Sequence, residues 1–129
     1  MYALWNRRRK RDTDTDYQGE EMKTIFVYGS LKKGYYNHSI IKGSTFVGTK
    51  VLLGYQLYDT GFGYPAIAKD KWGSVLGEVY QIEEDIFNSI NNMELGAGYV
   101  LKRGDSCSYW IMEKISAQWK KLGKEWRKE

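Results

Sequence analysis

The stretch I25-F26-V27-Y28-G29-S30-L31-K32-K33-G34 decides the reading of this chain. Ile25, Phe26 and Val27 supply the β-branched and aromatic bulk of a buried strand. Gly29 then offers a turn, because glycine reaches backbone conformations closed to other residues and lets a ligand approach the main chain. Successive N–H groups in such a turn form a concave nest suited to a carboxylate or an oxyanion. A tight turn with no ligand reads the same from this segment alone, so the rest of the chain has to choose.

The 129 residues suffice for one compact domain and not two. The hydrophobic fraction of 42% is that of a globular protein, and aromatics are rich at 16%, with 11 tyrosines. No apolar stretch has the length of a membrane span. The basic cluster near the N-terminus is not followed by an apolar run, so it is not read as a secretory signal. Cys107 is the single cysteine, which excludes an intrachain disulfide and fits a cytoplasmic location. The net charge of +4 falls mainly in residues 113–129, while residues 22–112 are nearly neutral. The core therefore lacks the one-sided basic face that phosphate backbones require, and nucleic acid is not expected as its partner. The sequence sets no oligomeric state.

Residues 1–21 read as a disordered charged tail, with Arg7–Arg11 followed by Asp12, Asp14 and Asp16. Met22 stands just before the first strand and offers an alternative start. Strands are expected over 23–28, 45–53, 54–59 and 73–82, with a short helix over 36–42. Pro65 removes a ladder donor and marks an edge or crossing point near a short extended piece. Gly77 marks a bulge or a close backbone approach. Residues 83–93 form the clearest helix, with acidic residues in its first turn, Ile82, Ile86, Ile90 and Met93 at helical spacing, and Gly96 placed to stop it. Strands over 99–102 and 107–112 close the domain. Ile115, Trp119, Leu122 and Trp126 then fall on one stripe, which predicts an amphipathic C-terminal helix over 113–129 packed on the body of the protein, with a membrane interface or a second subunit as the other occupants of such a stripe.

Glu94 is the main chemical candidate. It lies four residues after Ile90 and eight after Ile86, so it continues the apolar stripe of the helix. Desolvation and the negative end of the helix dipole both raise its pKa, as general acid–base work near neutral pH needs. A frayed helix end pointing to water is the plain alternative. Glu78 is read as solvent-facing. His38 is the only histidine, which excludes a His-rich metal site, and it reads as a surface residue. Cys107 has no basic neighbour to mark it as a nucleophile. Ser30 has no second histidine to complete a triad. The turn has neither a P-loop nor a dinucleotide fingerprint.

The order V-Y-G-S-L, Y-P-A-I, G-E-V-Y-Q-I, then a helix ending in M-E and a G-x-G-Y, resembles the gamma-glutamylcyclotransferase-like group, which includes gamma-glutamylamine cyclotransferases and the plant AIG2-like proteins. The resemblance covers about residues 23–112. It implies an α+β fold, a small mixed β-barrel with one or two packed helices and a cavity beside the turn. It also implies that Tyr28, Gly29, Ser30 and Leu31 cradle a gamma-glutamyl substrate, that Glu94 is the acid–base residue, and that Tyr99 matches an aromatic position after it. Ile90-Asn91 departs from the Leu-Asp often found before the glutamate, and Leu95-Gly96-Ala97-Gly98 is short and apolar.

The activity implied is intramolecular. The α-amine of a gamma-glutamyl amine or peptide attacks its own side-chain carbonyl and releases 5-oxoproline and the free amine, without metal or cofactor. Two other readings compete with it. A non-catalytic metabolite-binding protein of the same fold shares the turn and cavity but has no need of Glu94's proton. An interaction protein works instead through its basic tails.

Overall fold

The computed structural model describes residues 22–127. The tail expected over residues 1–21 lies outside the described residues. The first described strand, β1 (Met22–Val27), lies inside the sheet, between two neighbouring strands. Successive side chains of a strand point to opposite faces. Here Ile25 and Val27 enter one hydrophobic cluster, with Ile82, Phe87, Ile90 and Trp110, while Phe26 and Tyr28 enter another, with Leu57, Ile67, Val75 and Tyr109. A strand buried on both faces needs an unbroken apolar run, which is what Ile25-Phe26-Val27 provides.

After the turn comes a single 3-10 turn, His38–Ile40, where a helix over 36–42 was expected. Its bonds are the short-range Ile40 N–H to Asn37 O and Ile41 N–H to His38 O, and Gly43, at φ +94°, turns the chain away. Two long antiparallel strands follow, β2 (Thr45–Asp59) and β3 (Pro65–Glu83). The break expected near Gly54 is a bulge inside β2: the register shifts between Leu53 and Tyr55, and Gly54 takes φ +90°. The extended piece at Pro65 and the strand over 73–82 are likewise one element. Pro65 occupies the first position of β3, where its missing N–H costs least. Gly73 lets β3 continue, since a Cβ there would lie 2.2 Å from the Tyr55 carbonyl oxygen. Gly77 is a close approach, as expected: a Cβ would lie 2.4 Å from the Val27 carbonyl oxygen.

Helix α1 (Glu84–Gly96) buries Phe87 and Ile90 against the sheet. Its stop is Gly98 rather than Gly96. Gly98 takes φ +96°, its N–H donates to Leu95 O at 3.1 Å, and Tyr99 N–H donates to Glu94 O at 3.0 Å. This pair of bonds is a Schellman motif, which places the left-handed glycine just past the helix. Strands β4 (Val100–Arg103) and β5 (Ser108–Ile111) form a hairpin, and β6 (Lys120–Lys121) pairs with β2. The sheet order is β4-β5-β1-β3-β2-β6. β5 lies parallel to β1 through Ile25 and Ser108. Beyond it, Met112 N–H donates to Ile67 O at 2.9 Å, drawing the end of β5 onto the first half of β3 and curling the sheet into a half-barrel.

The helix expected over 113–129 does not form over residues 113–127. The segment is an extended strap. Leu122 N–H donates to Leu57 O, Gln56 Nε2 to Leu122 O, and Leu76 N–H to Lys124 O. Lys32 Nζ and Tyr35 Oη both donate to Trp126 O. Partners across the fold thus take the backbone groups that an isolated helix would have paired internally. Three of the four stripe residues still pack, Trp119 on one cluster and Leu122 and Trp126 on the other, while Ile115 stays exposed. Among the described residues, no helix is long and apolar enough to cross a membrane.

Candidate functional site

A cavity of about 180 Å³ opens where the end of β1, the start of β3 and the end of α1 meet. Tyr28, Gly29, Ser30, Leu31, Glu94 and Tyr99 all line it. The structure therefore gathers at one place the six residues that the resemblance assigns to the site, while Glu78, His38 and Cys107 lie outside its lining.

The turn is built by its own backbone. Lys32 N–H donates to Gly29 O at 3.0 Å, and Asn37 N–H donates to Ser30 O at 2.8 Å. Asn37 Nδ2 also donates to Ser30 Oγ at 2.9 Å. The N–H groups of Gly29, Ser30 and Leu31 donate to no described residue. Gly29, Ser30 and Leu31 line the hollow with these N–H groups unspent on other described residues, the condition that a nest for an anion requires. Gly29 serves here in a different way from a left-handed glycine, because its φ is not positive. A Cβ on Gly29 would lie 2.9 Å from Pro65 Cγ, so glycine is needed for the approach of the proline ring.

Glu94 sits in the last turn of α1, half-buried, with its side chain lining the cavity. Burial raises its carboxyl pKa from 4.5 to about 7. The carboxylate has no hydrogen bond or ion pair to any described residue. Tyr99 is buried beside it, and its hydroxyl donates to Pro65 O. Burial, then the nearby Glu94 charge, keep that hydroxyl protonated far above neutral pH. Tyr28 is also fully protonated at neutral pH, mainly through burial, and its hydroxyl donates to Trp110 O at 2.8 Å. Leu31 is part of the core beneath the turn. For Tyr28 and Leu31, the side chains brace the cavity and the main chain is what remains available.

The lining also takes in residues that the sequence did not assign to the site, among them Asn37, Tyr64, Pro65 and Trp110. Tyr64 and Pro65 carried a signal, the Y-P-A-I run that enters β3. Trp110 carried none locally, since only the pairing of β5 with β1 brings it here; its Nε1 donates to Asn91 Oδ1 at 2.9 Å. Glu78 is half-buried rather than solvent-facing. It accepts from Lys33 N–H and from Tyr80 Oη, each at 2.9 Å, and so ties down the chain beyond the turn. His38 is half-buried too, and its Nδ1 donates to Leu31 O at 2.9 Å.

The arrangement puts an acid–base group of near-neutral pKa and a set of open backbone donors on one small hollow. That combination suits a reaction in which a proton moves while an oxyanion develops.

Comparison with known proteins places the chain among relatives of one kind. A Pyrococcus horikoshii protein provisionally named a gamma-glutamylcyclotransferase is 40% identical over 82 residues, which is 64% of this chain and 68% of that one. The gamma-L-glutamyl-butirosin B gamma-glutamyl cyclotransferase of Niallia circulans is 36% identical over 73 residues, 57% of this chain and 46% of that one. A crystal structure of the Pyrococcus horikoshii protein superposes with a TM-score of 0.64 at 34% identity, covering 79% of this chain and 83% of that one. The sequence pattern described as gamma-glutamyl cyclotransferase, AIG2-like matches residues 25–127, and so takes in the strap that the sequence resemblance had left outside. The chain belongs to the gamma-glutamyl cyclotransferase, AIG2-like family.

Proposed function

We propose that this protein is a gamma-glutamyl cyclotransferase that converts gamma-glutamyl amines or peptides to 5-oxoproline and the free amine, with Glu94 as general acid and base. The observation that carries this reading is the Glu94 carboxyl, at a pKa of about 7, on the same cavity as the open N–H groups of Gly29, Ser30 and Leu31.

In the reaction, the α-amino nitrogen bonds to the side-chain carbonyl carbon of the same glutamyl group. Glu94 takes a proton from the attacking nitrogen. The carbonyl oxygen becomes an oxyanion, and the turn N–H groups stabilise it. The carbon–nitrogen bond to the leaving amine then breaks, and Glu94 returns its proton to that nitrogen. A carboxylate raised to about 7 is a stronger base than an ordinary one and can still hold its proton near neutral pH, so it can serve in both directions. Nucleophile and electrophile share one molecule, so the cavity acts largely by holding the coiled conformer. Tyr99 and Tyr64, their rings 6.3 Å apart, wall the side of the cavity beside Pro65.

The test is incubation with a panel of gamma-glutamyl amines and dipeptides, with 5-oxoproline detected by mass spectrometry. Release by the parent chain and its loss in Glu94→Gln is the expected result. Full activity in Glu94→Gln would remove Glu94 from the mechanism, and tight binding without turnover would make the protein a metabolite binder.

A further inference from the structure

The cavity at Glu94 is small. Pockets that enclose a drug-sized ligand run to roughly 300–1,000 Å³, and 180 Å³ accommodates little beyond a glutamyl group. The amine that the glutamyl group carries must project out of it. A second hollow of about 600 Å³ is its neighbour: Ser30 is the one described residue that lines both. Its walls come from Tyr35 and Tyr36 after the turn, from Gly61 and Gly63 ahead of Pro65, and from Leu122 and Trp126 of the strap.

The charged groups of this outer hollow already have partners. Glu125 lies 3.1 Å from Arg127 and 3.7 Å from Lys32. Asp59 Oδ1 accepts from Gly61 N–H at 2.8 Å. What the walls offer a ligand is aromatic surface. Trp126 lines the hollow and packs, partly buried, against the cluster that holds Leu57, Ile67 and Tyr109, while its carbonyl accepts from Lys32 Nζ at 2.7 Å and Tyr35 Oη at 3.1 Å. Tyr36, 92% exposed, presents its ring to solvent with no ring partner among the described residues. Aromatic faces of this kind favour planar apolar groups through stacked or edge-on contact.

We infer that the outer hollow is the subsite for the leaving amine, and that the strap makes it selective for amines bearing an aromatic group. The inference rests on the cyclotransferase reading for its chemistry but not for its binding. Two probes separate the two, gamma-glutamyl-tryptamine and gamma-glutamyl-methylamine. The full chain is expected to favour the tryptamine amide about tenfold in kcat/KM. That ratio falls roughly five- to tenfold in Trp126→Ala and two- to threefold in Tyr36→Ala, the size of one aromatic contact. Tyr36→Ala changes an exposed ring, so its effect does not depend on the packing that Trp126 supplies. Calorimetric binding of both probes to the inactive Glu94→Gln chain reads the same preference without turnover. A ratio indifferent to both aromatic substitutions, with equal binding of the two probes, would overturn the subsite. Preferential binding without turnover in the parent chain would support the subsite while removing the enzymatic reading.

Discussion

The Tyr99 N–H donates to the Glu94 carbonyl at 3.0 Å, and this bond sets both side chains on the cavity. It belongs to the helix-ending motif around Gly98, whose left-handed φ of +96° allows the chain to double back within a loop that has no polar side chain of its own. In Gly98→Ala the new methyl meets only Met112 Cε at 3.6 Å, an ordinary contact. The cost is conformational, about 1–2 kcal/mol. Thermal unfolding should show a melting temperature lower by roughly 5–10 °C, with activity reduced because Glu94 and Tyr99 lose their shared anchor.

Gly29→Ala should fail for the opposite reason. Its φ suits any residue, but the Cβ would lie 2.9 Å from Pro65 Cγ. Pro65 is pinned by the Tyr99 hydroxyl on its carbonyl, so the turn must give way. Overpacking of this kind costs about 1–3 kcal/mol. Steady-state kinetics should show a raised KM, because the N–H groups of Ser30 and Leu31 move with the turn.

Glu94→Gln separates activity from stability. Loss of general acid–base catalysis is expected to lower kcat by about 10²–10⁴-fold. The same substitution should stabilise the fold at alkaline pH. Burial raises the folded-state pKa of Glu94 above its unfolded value of 4.5, to about 7. Stability linked to this group is therefore fully present below about 4.5 and lost as the pH rises through about 7, where the folded chain must hold a buried charge. Glutamine has no such charge, so the variant should exceed the parent by about 1–3 kcal/mol at pH 8 and match it near pH 4. Denaturant titrations at the two pH values check both halves.

The pH profile of the parent follows from the same group. The base form of Glu94 is needed for the attack, so kcat/KM should fall tenfold per unit as the pH drops below about 7. A profile flat from pH 5 to 8 would show that another group takes the proton.

Lys32 is 3% exposed, and its ammonium is spent on the strap: Trp126 O at 2.7 Å, Glu125 at 3.7 Å, and the Tyr35 ring with its centroid 4.7 Å away. Lys32→Met keeps much of the volume and removes the charge. Because Tyr35 still holds Trp126 O, the loss should be confined to about 1–3 kcal/mol. Hydrogen exchange should speed up at the amides of 122–127 while those of β1 keep their protection.

Much of this could be read in the sequence where local pattern and tertiary fate coincide. Ile25-Phe26-Val27 is apolar because both faces of β1 are covered, and Glu94 follows Ile90 by one turn because both lie toward the interior of α1. The strap shows where pattern misleads. Trp119, Leu122 and Trp126 fit helical spacing, yet an extended segment with suitable kinks can bury the same three residues, and the donors that decide the matter, Gln56, Leu76 and Lys32, lie far away in sequence. Gly54 and Gly73 read as punctuation but permit a bulge and a backbone contact within continuous strands. Asn37 and Trp110 reach the cavity only through the turn's closure and the placing of β5, and no short window of sequence contains either event.

The pairing of Ile25 with Ser108 and the bond from Met112 to Ile67 give assembly a definite sequence. β1 waits for β5, which lies far along the chain from it. Until Trp110 arrives, the hollow beside Glu94 lacks one of its walls. Contacts so distant along the chain form slowly. During refolding, recovery of turnover should therefore lag behind the return of helical signal, since α1 forms from neighbours while the hollow beside it is completed only when β5 has paired with β1.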